Sequence, residues 1–248
     1  MSEAKLSPQE RIEYYRANKG DRRANAFAIT KPIRIGDLVE SSISFAHITS
    51  QYVRIDKGVE EFLLTEDEIR SYGHHIAGNP MQGLAKLASR VEMYTPTEHP
   101  KVSLERWRAH MAKEYDFTRA VHEDMVTCFH RSVLLTLLGQ QLDNDRYRVL
   151  SIDGFYSDSP FEQLHADGHL WNNFVVFPER KIFLVDSANM DGNGTPVVAD
   201  ISDVEGYISN ITLSDGNIRG YKGGPIKHHK IDPFAMMYKA LPVEFKES

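Results

Sequence analysis

The sequence predicts an α+β fold, and three observations carry that prediction. Val126 to Gly139 reads as an apolar helix, with Leu134, Leu135, Leu137 and Leu138 forming its body and Gly139 as a stop. Gly168 to Phe177 and Lys181 to Asn189 read as two successive strands rich in Val, Ile and Phe. Ahead of them, about Glu60 to Phe117, helix-start signals precede apolar residues at three- and four-residue intervals. The expected architecture is a helix packed on an antiparallel sheet, preceded by a mostly helical N-terminal layer. Residues 1–117 form that extension and residues 118–248 the core.

In chain order, Ser7-Pro8-Gln9-Glu10 is a capping box that opens a helix running to Gly20. Ile29–Ile35 and Ser42–Ile48 alternate as strands do, with Pro32 marking an edge and Gly36-Asp37 a turn. Gln51 to Lys57 reads as a further strand. Thr65-Glu-Asp-Glu68 is a second capping box, and Asn79-Pro80 opens a helix striped by Leu84, Leu87, Val91 and Tyr94. Thr95 to Pro100 breaks it, and Ser103 caps another helix bearing Leu104, Trp107, Met111 and Tyr115. Arg146–Ile152 is a strand. Asp153 to Gly168 is a long connection expected to line the substrate cleft, with Phe155, Tyr156 and Phe161 facing substrate or pinning the loop. Pro196–Ile201 and Val204–Ile211 read as strands, Gly216 to Gly224 as a glycine-punctuated loop, and Asp232–Leu241 as a closing helix.

Bulk composition narrows the function classes. The 248 residues are 41% hydrophobic and 26% charged, as in an ordinary globular protein. The net charge is −6 and no Lys/Arg block stands out, which argues against nucleic acid or an anionic membrane surface as partner. The chain has one cysteine, so neither an intrachain disulfide framework nor a cysteine zinc cage can form. A reducing, cytoplasmic setting is expected, because the N-terminus lacks an apolar leader and no run approaches 18 apolar residues. Export by a specialised secretion machine would leave no such mark.

The chemistry-bearing residues fall in the order Cys128, His169, Asp186, on helix, strand and strand. A thiol reacts as thiolate, and a free pKa near 8.5 leaves only a few per cent ionised at neutral pH. A helix N-terminus and a nearby imidazolium both favour the anion. Imidazole serves as base and then as acid for a leaving amine, and a carboxylate on its far nitrogen fixes tautomer and orientation. No metal is expected. The pairs His74-His75 and His228-His229 point apart on either secondary structure, and His165 to His169 spans an Asp-Gly turn signal that does not suit a helical zinc pair. His130, two residues after the cysteine, is read as structural.

The segments His169-Leu-Trp171 and Asp186-Ser-Ala-Asn189, following a cysteine that opens a helix, resemble the transglutaminase-like superfamily of papain-like Cys-His-Asp enzymes. That family has a His-x-Trp strand start and a strand ending Asp-Pro-Thr-Asn or similar. His169 lies 41 positions after Cys128 and 17 before Asp186, and both spacings suit it. The resemblance covers about residues 120 to 190; Leu170 and Ser187 replace the family's frequent Ala and Pro. It implies Cys128 as nucleophile, His169 as base and Asp186 as orienter, in a thiol enzyme for acyl transfer or hydrolysis at an amide. Trp171, His165 and Tyr156 are the expected substrate-binding residues. The substrate would be a peptide, protein or small amide, and no cofactor is implied.

Two other readings compete. An arylamine N-acetyltransferase-like acyltransferase orders the same three residues, but has glycines before its cysteine where this chain has Met125-Val-Thr. A binding module on the same fold would not need all three groups. The triad also sets a condition on the strand pair. His169 opposite Asp186 requires a four-residue loop from Val176 to Glu179; a tight turn at Glu179-Arg180 would separate them by about 13 Å along the strand.

Overall fold

The computed structural model describes residues 27–29, 33–41, 51–95, 115–143, 145–160, 167–177, 179–204 and 208–223. Among the described residues three strands come first: β1 (Phe27–Ile29), β2 (Leu38–Ser41) and β3 (Gln51–Arg54). A 3₁₀ turn (Lys57–Phe62) leads into α1 (Glu66–Gly78), α2 (Pro80–Tyr94), α3 (Phe117–His122) and α4 (Cys128–Gln140). The rest is β4 (Tyr147–Ser157), β5 (Asp167–Val176), β6 (Lys181–Met190), β7 (Pro196–Asp200), β8 (Ile208–Thr212) and β9 (Ile218–Lys222). The mixture of helices and antiparallel sheet is α+β. The helices expected at Ser7–Gly20, from Ser103 and at Asp232–Leu241, and the strand at Ser42–Ile48, lie outside the described residues.

Helices α1 and α2 begin where their capping residues direct. Thr65 and Glu68 satisfy one another's backbone N–H groups in a reciprocal capping box ahead of α1. Asn79 accepts the Gln82 N–H at 3.2 Å, and Pro80 takes the first helical position of α2, where no donor is needed. Helix α4 is enclosed all round. Every residue from Phe129 to Gly139 is buried, which accounts for its lack of a polar face. Gly139, expected to stop the helix, lies within it. A Cβ there would sit 2.9 Å from Val149 and 3.0 Å from Phe174, so glycine lets α4 close on β4 and β5.

Among the described residues the main sheet has seven strands, ordered β7-β6-β5-β4-β9-β8, with β1 also paired to β4. Strand β5 follows one edge of β4 along its length, from Tyr147↔Val176 to Tyr156↔Asp167. The other edge is shared: β1 takes Ser151 to Asp153 and β9 takes Phe155 to Ser157. One apolar cluster joins Val53, Leu84, Leu87 and Val91 to the α4 leucines and to Phe174 and Val185. The stretches before and after residue 117 therefore share both a sheet and a core.

The sheet curls. Asn193, in the turn after β6, donates to Ser214 at 2.9 Å, and Ser214 donates to Asp191 at 3.2 Å, which brings the β6–β7 turn against the β8–β9 turn. Strand alternation then sorts β5 into two faces. Phe174 and Val176 join the cluster under α4, while Trp171 and Val175 join an inner cluster with Leu150, Ile152, Leu184, Val197, Ile211 and Tyr221.

Three sequence expectations are corrected here. The connection expected over Asp153–Gly168 is shorter, because ladder bonds carry β4 to Ser157 and start β5 at Asp167. The glycine-punctuated stretch after Gly216 is strand β9, the second arm of a hairpin turning at Gly216, whose φ is +83°. The β5–β6 turn runs from Phe177 to Arg180, so Asp186 falls in line with Trp171 rather than with His169 or Asn173. Arg180 takes φ +52° to close that turn.

Candidate active site

Cys128 is the first residue of α4, after Thr127 in extended conformation (φ −125°, ψ 178°). It is half-buried, whereas Phe129 to Gly139 of the same helix are enclosed. The unpaired N–H groups of a helix start favour negative charge there. The residue before it is held from within: the Thr127 N–H donates to His130 Nδ1 at 3.2 Å. His130 is fully buried, and burial pushes its pKa down to about 3, so it is neutral and has the structural place expected of it.

His169 and Asp186 meet where β5 and β6 part. The last pair of their ladder is Asn172↔Val185. Beyond it β6 bulges away from β7 between Asp186 and Met190, a common device beside functional groups. Direct opposition of the two residues is therefore unnecessary. Side chains two positions apart on facing strands share a face and lie on a diagonal of about 7–8 Å, which a carboxylate and an imidazole can span. His169 Nε2 lies 2.7 Å from Asp186 Oδ2. The Cys128 side chain lies beside the same imidazole, where its charge and polar contact raise the ring's pKa. With Nε2 occupied by the carboxylate, Nδ1 is the nitrogen left for sulfur.

Five donors converge on Asp186, which is wholly buried. The Ala188 and Asn189 backbone N–H groups reach Oδ1 at 2.9 and 3.2 Å. Asn189 Nδ2 at 2.8 Å and the Tyr221 hydroxyl at 3.0 Å join His169 on Oδ2. Burial alone would raise the carboxyl pKa. The charge and hydrogen bond of His169, then the Asn189 and Ala188 donors, bring it below the usual value of 3.8. For His169, burial alone would lower the pKa; the charges of Asp186 and Cys128 and their hydrogen bonds raise it instead, to about 10. At neutral pH the pair is imidazolium against carboxylate, and the carboxylate acts as acceptor.

Arg131 ties the helix to this turn. One helical turn after Cys128, its Nη1 donates to the Ser187 carbonyl at 2.8 Å. Behind it, Asn172 Nδ2 donates to the Ser132 carbonyl at 3.2 Å and to Thr136 at 2.9 Å, and Ser132 donates to the Trp171 carbonyl at 3.3 Å. These bonds lock α4 to β5 at the level of the site.

Aromatic rings enclose the imidazole. Trp171 stacks on His169 at 6.3 Å between centroids with a 20° interplanar angle, and Tyr156 lies 5.3 Å from the ring on another side. Trp171 is 1% exposed and donates its indole N–H to Asn173. It is therefore a support for His169 and not a wall that substrate touches, contrary to expectation; its place on the inner face leaves it no open surface. Tyr156 is half-buried beside His169, where a bound molecule could meet it. His165 lies outside the described residues. Two contributors were missed, Tyr221 and Arg131. Tyr221 sits on the strand read as loop, and Asp215-Gly216 ahead of it was the hairpin signal that could have revealed it.

Among the described residues no group of three or more His, Cys, Asp or Glu could hold a metal ion, and no helix is long and apolar enough to cross a membrane. No family model, curated protein or solved structure matches the chain.

Proposed function

We propose that the protein is a cysteine-dependent acyl-transfer enzyme of transglutaminase-like type, with Cys128, His169 and Asp186 as its catalytic residues and the papain-like arrangement of helix and sheet as its core. One observation carries this reading: a single imidazole is engaged by a half-exposed thiol and by a buried, fully hydrogen-bonded carboxylate. A histidine with only a packing role needs neither.

The reaction uses the thiol, the imidazole and the carboxylate in turn. The Cys128 thiolate attacks a carbonyl carbon, usually of an amide, and the carbonyl electron pair moves onto oxygen. The Cys128 backbone N–H, at the helix start, is the donor offered to that oxyanion. As the C–N bond breaks, protonated His169 Nδ1 gives its proton to the departing amine. The acyl-enzyme is then attacked by water or by an amine, His169 takes the incoming proton, and the thiolate leaves. Water makes the protein a protease, amidase or deamidase; an amine makes it a transamidase. Asp186 holds the ring throughout without taking its proton.

Alkylation by iodoacetamide tests this reading. At pH 6 a free thiol is about 0.3% ionised. Cys128 is expected to react at least tenfold faster than a free thiol at that pH, and His169→Ala to remove the advantage. A wild-type rate equal to that of a free thiol would overturn the assignment. Mass spectrometry with glutamine-containing peptides, read for a 1 Da deamidation shift, cleavage or amine incorporation, then identifies the acyl acceptor.

A further inference from the structure

We infer that Tyr221, on β9, is a positioning residue of this site: its hydroxyl anchors the Asp186 oxygen that holds His169, and its ring backs both aromatic side chains that fix the imidazole. The inference rests on the function proposed above.

Both parts of the side chain are used. The hydroxyl donates to Asp186 Oδ2 at 3.0 Å, the same oxygen that receives His169 Nε2 at 2.7 Å. A carboxylate can turn about its bond to Cβ. The two backbone donors hold Oδ1, and Asn189 and Tyr221 hold Oδ2 from the remaining sides. Asn189 belongs to the same turn as Asp186 and moves with it. Tyr221 comes from the other arm of the curled sheet and fixes the oxygen relative to the rest of the fold. The phenol ring lies edge-on to Trp171 at 5.4 Å and to Tyr156 at 5.4 Å. Those two rings flank His169. One fully buried residue therefore braces the base through two rings and its orienting carboxylate through a hydrogen bond.

Tyr221 remains a neutral donor. Burial first, then the Asp186 charge beside it, raises its pKa well above 10. The other titratable or charged groups around the pair are Cys128 and Arg131 from α4 and Tyr156 from β4, with Arg219 of β9 acting on both tyrosines.

Tyr221→Phe keeps the ring and removes the anchor. The readout is the rate of Cys128 alkylation by iodoacetamide from pH 5 to 10, on protein shown folded by near-ultraviolet circular dichroism. With the carboxylate free to turn, the imidazolium is held less well and supports the thiolate less. We expect the rate at pH 6 to fall about three- to tenfold, half to one pH unit of displacement, with the rate at pH 10 unchanged. A merely structural role would lower the melting temperature and leave the profile superimposable on wild type, and that result overturns the inference. Should Tyr221→Phe not fold, 3-fluorotyrosine at position 221 keeps both the ring and the hydroxyl and strengthens the donor. It is expected to displace the profile toward lower pH, and no displacement again overturns the inference. The two readings fail differently. A wild-type Cys128 no more reactive than a free thiol removes both, whereas a reactive, His169-dependent thiol indifferent to Tyr221 removes only this one.

Discussion

Gly154 shows how much of this site depends on single atoms. It pairs with His169 across β4 and β5, and a Cβ at position 154 would lie 2.4 Å from the Trp171 indole and 2.5 Å from the Lys222 carbonyl. Neither neighbour can yield cheaply: the carbonyl is backbone, and the indole is the ring stacked on His169. Gly154→Ala is expected to destabilise the fold by about 1–3 kcal/mol, in the range for overpacked cores, and to slow Cys128 alkylation by displacing the imidazole. Urea unfolding and alkylation kinetics on the same preparation check both, and wild-type values in each would show that the indole is not held as described. At this scale the sequence was legible where residue type states chemistry. Cys128, His169 and Asp186 are read from their order, spacing and flanking Trp171 and Asn189. Gly154 is not, since an absent side chain signals nothing until its neighbours are known.

Helix starts proved the most legible elements, because capping is local chemistry. Thr65 with Glu68, and Asn79 with Pro80, name their own positions in the chain. Asn79→Ala removes the side-chain acceptor for the Gln82 N–H and should cost about 1 kcal/mol, read as a lower urea midpoint with an unchanged slope. Because α2 packs on β6, β7 and α4 and lies outside the contacts among Cys128, His169 and Asp186, alkylation of Cys128 should be unaffected by it. Strand register was less legible. The turn after β5 lies one residue beyond its expected place, which moves the pairing by two positions, and two positions preserve the face. The diagonal reach of the two side chains then covers the difference. Strand β9 was hidden by Gly220 and the glycines flanking the strand, whose meaning depends on pairing with β4 and β8, a contact no local window contains.

For the molecule as a whole, the buried charge pair links folding to pH from both sides. Folded His169 has its pKa raised from 6.5 to about 10, so its contribution is complete below pH 6.5 and is lost as pH rises through about 10. Folded Asp186 has its pKa lowered from 3.8, so its contribution is present above that value and is lost as pH falls through the lower, folded one. The two overlap fully between about pH 4 and 6.5. Chemical denaturation of wild type and His169→Gln across pH 3 to 10.5 should therefore show the largest stability gap in that interval, shrinking toward either extreme. A gap independent of pH would mean that the ring is uncharged in the native protein. The α+β class could be read from the chain, but the curl of the sheet could not. It depends on the meeting of Asn193 with Ser214, two turns that no pattern of hydropathy connects.

The enclosure of α4 has one more implication. On the proposed reading, Cys128 is a nucleophile at the tip of a rod walled in along its length, and the helix offers no hinge by which to swing it toward or away from its base. Its Cα keeps one address for as long as the interior stays solid, so on the same reading control over turnover falls on what reaches the thiol rather than on movement of the helix that carries it.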